Sequence, residues 1–196
     1  MAAAKRDTRS ELLSTGMELI WCHNYGSVSV DEICKKAGAQ KGSFYHFFPS
    51  KADLAIAALE NTWTQMQPEL DHIFSPQLPG LRRLQNYADY TLKQQEQERE
   101  RLGFVVGCPF TTIGSEQSAE KDGISKKAWE ILVRFQKYFY QAIRDACEEG
   151  CIKVGDPQLK ASQIIHHYLG ALACARLSGD LAPMRDLYSV WMGILR

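Results

Sequence analysis

The chain has 196 residues, 45% of them apolar, and its 23 Lys and Arg balance 23 Asp and Glu. That length holds one large domain, or a small one joined to a medium one. Zero net charge excludes the strongly basic profile of a protein that coats nucleic acid without regard to sequence. Charge is nevertheless uneven. Residues 1–51 carry seven basic side chains (Lys5, Arg6, Arg9, Lys35, Lys36, Lys41, Lys51) and five acidic ones (Asp7, Glu11, Glu18, Asp31, Glu32). The remainder carries sixteen against eighteen. The opening segment MAAAKRDTRSE lacks the apolar core of a signal peptide, and no apolar run is long enough to span a bilayer, so a cytoplasmic protein is expected. The cysteines Cys22, Cys34, Cys108, Cys147, Cys151 and Cys174 show no paired CxxC spacing and read as free thiols. Gly150 interrupts Cys147 and Cys151, and no His lies at ligand spacing, so neither a metal nor a cofactor is expected.

Period-two alternation is missing and helical periodicity runs almost throughout, which predicts an all-α chain. The first helix is expected over 8–23, with Leu12, Gly16, Leu19 and Ile20 on one face. Asn24 follows where a left-handed residue is needed. Ser29-Val30-Asp31-Glu32 reads as a capping box opening a two-turn helix with Val30, Ile33, Cys34 and Ala37 inward, ended by Gly38. A third short helix is expected over 40–47, with Phe44 and Phe48 pointing inward. Ser50 and Asp53 then cap a long fourth helix that carries Leu54, Ala58 and Trp63, with a kink expected at Pro68. Pro76 to Gly80 reads as a break. Further helices are expected over 81–102, 109–116, 125–149, 158–178 and 183–195. The predicted domains are 1–50 and 51–196.

Two short helices joined by a tight Gly-containing turn, behind a first helix, form a helix-turn-helix. The B-DNA major groove is about 12 Å wide and admits one helix. A helix that enters it must be short, apolar behind and polar in front. The third helix fits, with Phe44 and Phe48 behind and Lys41, Gly42, Ser43, Tyr45 and His46 in front, Gln40 standing at its start. Gly42 lets backbone approach the groove. Ser29 and Lys51 lie at helix N-termini, whose amides suit phosphate. Arg6 and Arg9 read either as a solvated tail or as an arm reaching DNA.

Residues 8–60, and above all Ser29-Val30-Asp31-Glu32-Ile33, Gly38-Ala39-Gln40-Lys41-Gly42-Ser43-Phe44-Tyr45-His46-Phe47-Phe48 and Ser50-Lys51-Ala52-Asp53-Leu54, resemble the DNA-binding domain of the TetR/AcrR repressors. The resemblance implies an all-helical homodimer of nine-helix subunits that binds operator DNA and whose second domain binds an inducer. Asn24 stands where the family often has Gly, and Phe47 where it often has Tyr; lacking a hydroxyl, Phe47 is assigned no phosphate contact. Gly107-Cys108-Pro109 to Glu116 is similar to a segment of a TetR subgroup that responds to electrophiles or small unsaturated acids. Pro109 suits the first turn of a helix, which makes Cys108 its N-cap, a setting that favours the thiolate. Gly107 reads as room for a reagent. The alternative is that Cys108 is a small buried hydrophobe.

The aromatic-rich set Trp63, Met66, Tyr87, Tyr90, Phe110, Trp129, Phe135, Tyr138 and Tyr168, with Cys108, reads as core or as the lining of an inducer cavity. In His166-His167-Tyr168 one histidine is expected inward and the other outward. The last two helices carry more apolar surface than one face requires, which predicts a homodimer built through them; the alternative is a thicker monomer core. No nucleophile elbow, phosphate loop or metal motif is present, so an enzyme is not expected.

Overall fold

The computed structural model describes residues 7–116 and 123–196. Lys5 and Arg6, and most of the predicted 117–123 break, lie outside the described residues. Among the described residues all regular structure is helical: α1 Thr8–His23, α2 Val30–Ala37, α3 Lys41–Phe47, α4 Lys51–Ile73, α5 Gly80–Leu102, α6 Pro109–Glu116, α7 Ile124–Glu148, α8 Pro157–Ser178, α9 Ala182–Arg185 and α10 Leu187–Ile194. The single final helix expected over 183–195 is therefore two, and the described residues form ten helices rather than nine. Asp186, at φ −103° and ψ 15°, leaves the helical region between them. Pro68 lies inside α4, which continues through it.

Local chemistry sets the ends. Asp7 accepts the Ser10 amide at 3.3 Å and opens α1. Ser29 and Glu32 form a reciprocal capping box on α2, at 3.2 and 2.7 Å. Gly38 closes α2 in the left-handed conformation. Ser50 accepts the Asp53 amide at 3.2 Å and its hydroxyl meets the Asp53 carboxylate at 2.7 Å.

Asn24 has the expected positive φ, 73°, but its ψ of 148° lies outside the left-handed helical well. Only glycine visits that region without strain of about 1–3 kcal/mol. Asn24→Gly relieves it at an entropic cost of about 0.5–1 kcal/mol. The variant is expected to gain about 1 kcal/mol, read as a higher urea midpoint at unchanged slope. A loss would mean that the asparagine side chain repays the strain.

The described chain separates into two compact units: Met1–Gln65 with Pro109–Ile131, and Met66–Cys108 with Leu132–Arg196. In the first, Leu12, Ile20, Ile33, Phe44, Leu54 and Leu59 are buried. Gly16 lets Leu54 close on α1, since a Cβ there would stand 2.5 Å from Leu54 Cδ2. Gly114 of α6 does the same for Ala128 of α7 at 2.6 Å.

The second unit is built on rings. Phe74, Tyr87, Phe135, Phe139, Tyr168 and Trp191 form a connected set whose neighbouring centroids lie 5.1–6.4 Å apart. Such pairs add about 0.5–1.5 kcal/mol each beyond area burial. A buried ion pair joins α5 to α7: Arg83 Nη1 meets Asp145 Oδ2 at 2.6 Å, and Arg83 Nε donates to Leu78 O at 2.7 Å. Burial opposes the Asp145 charge, but the Arg83 and Arg144 hydrogen bonds prevail and hold its carboxyl below the usual range.

Candidate nucleic-acid interface

Helix α3 has a dry back and an open front. Phe44 is 0% exposed and Phe48, which follows the helix, is also buried. Their rings stand 5.9 Å apart. Tyr45 is 51% exposed, and Lys41, Gly42 and His46 are exposed, while Ser43 is half-buried. Nothing lies within 4 Å of where a Cβ on Gly42 would stand, so the front offers backbone to a groove. Tyr45 packs edge-on against Phe44 at 5.2 Å, which orients its ring without covering it. Gln40 opens the helix and makes no side-chain capping bond. Lys41 Nζ lies 2.7 Å from Asp31 Oδ1, and this hydrogen bond holds the Lys41 pKa up. Both partners are exposed, so the pair contributes little to stability. Arg9 stacks its guanidinium 5.6 Å from the Phe48 ring centre.

Two residues are placed differently from the open phosphate contacts that their helix-terminal positions suggested. Both donors of Ser29 go to the Glu32 carboxylate, the amide at 2.7 Å and the hydroxyl at 2.8 Å. Lys51 is half-buried. Its ammonium donates to Tyr25 O at 2.7 Å and Val28 O at 2.8 Å, and stands 4.1 Å from the Tyr25 ring centre. Lys51 thus fastens the α1–α2 loop to the start of α4. No signal at helical spacing announces this, because its partners are carbonyls of a loop more than twenty residues earlier.

The residues expected to line an inducer cavity divide between the units. Tyr87, Tyr90, Tyr138 and Tyr168 join one ring network in the second unit, through Phe74 and Phe135. Tyr87 donates to the Tyr168 hydroxyl at 3.0 Å, and Thr91 Oγ1 lies 3.0 Å from the same oxygen. Burial pushes both phenols far above their ordinary range. Cys108, 8% exposed, is an electrostatic neighbour of both. Tyr138 is half-buried and donates to Asp71 at 2.6 Å. Tyr90 lines an open pocket of about 340 Å³ with Glu69, His72, Ile73, Leu78, Asn86, Asp89 and Lys93. Met66 is half-buried in the same unit. Trp63 and Phe110 are buried in the first unit. Trp129, on α7, is 62% exposed and lines no core.

Gly107 does not leave room for a reagent. It is buried, with φ +72°, and a Cβ there would stand 3.4 Å from Arg176 Cδ and 3.6 Å from Leu172 O. The Gln95 side-chain amide clasps the same residue, accepting its N–H at 3.3 Å and donating to its C=O at 3.4 Å. Arg176 donates to Val106 O at 2.7 Å. Sequence reasoning missed Thr91 and Gln95. Their signal is the spacing Tyr87, Thr91, Gln95, a polar stripe at i, i+4, i+8 on α5. His166 is exposed and His167 half-buried, as expected; burial lowers the His167 pKa. Among the described residues no three His, Cys, Asp or Glu side chains converge on a metal site, and no helix is long and apolar enough to cross a membrane.

A short helix with a buried aromatic back and an open polar front, capped onto two supporting helices, defines a helix-turn-helix DNA-binding protein. Residues 12–58 match the family described as bacterial regulatory proteins, tetR family, and residues 80–191 match the tetracyclin repressor-like C-terminal domain. The chain belongs to the TetR family of transcriptional regulators. It is 33% identical over 174 residues to the transcriptional regulator AcuR of Cereibacter sphaeroides, covering 88% of this chain and 77% of that protein. It is 27% identical over 188 residues to the HTH-type transcriptional repressor NemR of Escherichia coli, covering 93% and 90%. The crystal structure of reduced E. coli NemR superposes with a TM-score of 0.85 at 25% identity, covering 97% and 98% of the two chains. That of a regulatory protein TetR from Rhodobacter sphaeroides gives 0.82 at 29% identity, covering 96% and 99%.

Proposed function

We propose that the protein is a cytoplasmic, ligand-responsive repressor. Two copies bind a near-palindromic operator and release it when a small molecule binds. The observation that carries this reading is the open front of α3, Lys41, Gly42, Ser43, Tyr45 and His46, against its buried Phe44 and Phe48. Residues 1–50 form the DNA-binding head, with Gln40, Ser29 and Lys51 bordering the contact. Residues 51–196 bind inducer and build the dimer.

Dimerisation through α8 and α10 is supported by the surface of α8. Leu159, Gln163, His166, Gly170, Ala173 and Leu177 are exposed at spacings of three and four residues, one continuous helical face. Leu177 is 87% exposed. Small residues in mid-stripe suit close approach of a second helix. On α10, Val190 and Gly193 are also exposed. The inducer is a small apolar or amphipathic molecule whose polar group meets Tyr87, Tyr168 or Thr91 among rings. Linkage then requires that any compound lowering operator affinity bind more weakly to the DNA complex by the same factor. A thermal-shift screen followed by operator titration tests this. A stabilising compound that leaves operator affinity unchanged contradicts the reading, as does a monomer in sedimentation that binds operator fully.

One observation favours a second reading. Cys108 immediately precedes α6 and adjoins the two buried phenols. In this reading the Cys108 sulfur bonds to the electron-poor carbon of an activated C=C, whose π bond breaks and whose neighbouring carbon takes up the proton lost by the thiol, and the operator is released. Cys108→Ser is then expected to repress normally and to lose its response to a thiol alkylator. A normal response in the Ser variant leaves Cys108 as packing.

A further inference from the structure

Tyr25 sits in the loop between α1 and α2, and two charged groups make three contacts with it. Its amide donates to Glu116 Oε2 at 2.8 Å, and Glu116 is the last residue of α6. Its carbonyl accepts from Lys51 Nζ at 2.7 Å. Its ring lies beneath the same ammonium at 4.1 Å. Lys51 also holds Val28 O, next to the Ser29 cap of α2. The loop therefore leads into α2, and α2 carries the turn into α3. Helix α6 is fixed in the first unit by buried Ile113 and by Gly114 against Ala128, so the carboxylate is presented from a firm base.

Glu116 is exposed. Water would satisfy the Tyr25 amide in its place, so folding does not require the carboxylate. Only the setting of the loop does. We propose that Glu116 is a positioning residue for operator binding: its hold on the Tyr25 amide, opposite the hold of Lys51 on the Tyr25 carbonyl, fixes the helix-turn-helix in its DNA-reading pose.

The charge of Glu116 is a separate matter, since a carboxylate near a DNA-binding surface repels phosphate. Glu116→Gln keeps an acceptor oxygen and removes the charge; Glu116→Ala removes both. The test titrates each full-length variant against a duplex that wild-type protein enriches from random DNA, over a range of salt. Glu116→Gln is expected to bind at least as well as wild type. Glu116→Ala is expected to bind about fivefold more weakly than Glu116→Gln, the scale of one neutral hydrogen bond. The salt slope should match between the two, because neither gains or loses a phosphate contact. Hydrogen exchange over residues 24–28 should quicken in Glu116→Ala alone, at an unchanged melting temperature. Equal affinity of the two variants overturns the proposal. So does a loss of affinity that tracks a fall in melting temperature, which would make Glu116 merely structural.

Discussion

Gly80→Ala is expected to destabilise the protein by about 3 kcal/mol, at the upper end of overpacking effects. The Cβ would stand 2.2 Å from Ala142 O and 2.7 Å from Ala146 N of α7. Both are backbone atoms of a 25-residue helix and have no rotamer in which to retreat. The Gly80 amide also donates to the Glu149 carboxylate at 3.1 and 3.2 Å, so moving α5 away would strain that end cap as well. At this chain length the loss corresponds to a melting temperature lower by about 6–12 °C. Thermal circular dichroism reads it directly. A variant melting within about 2 °C of wild type would mean that α5 and α7 do not approach so closely.

Replacing Tyr45 and Lys41 together with Ala is expected to remove operator binding while leaving the fold in place. Each contact to a base is worth about 1–3 kcal/mol, and the proposed dimer would make it twice, so the loss should exceed about 100-fold. Stability should fall by about 1 kcal/mol or less. Tyr45 is half out of the structure and gives up only its edge contact with Phe44. Lys41 gives up only an exposed ion pair with Asp31. Gel retardation and urea denaturation of the same preparation separate the two effects. Binding within threefold of wild type would remove α3 as the reading element.

What was legible in the sequence followed the range of the forces involved. Caps act over three residues, so Ser29 with Glu32 and Ser50 with Asp53 announced α2 and α4. Phe44 and Phe48 are one turn apart and announced the buried side of α3. Contacts that cross the chain left no such mark. Gly80 read as part of a break, because a glycine for a turn and a glycine for close helix approach look alike in one dimension. Gly107 read as space, although Arg176 and Gln95 close over it. Lys51 read as a phosphate ligand, although it fastens the Tyr25 loop. The break at Asp186 between α9 and α10 was equally silent, since nothing but its dihedral angles marks it. Trp129 belongs with the rings by composition alone, and its exposure is a matter of helix rotation.

The most direct test of the central claim is selection of duplexes from random DNA by the full-length protein, followed by footprinting and determination of stoichiometry. Enrichment of a near-palindrome whose half-sites lie about one helical turn or more apart is expected. Two protomers, or a multiple of two, should occupy it, and the enrichment should vanish with the Tyr45 and Lys41 double variant. Recovery of unenriched DNA, or of a single half-site held by one protomer at full affinity, would contradict it.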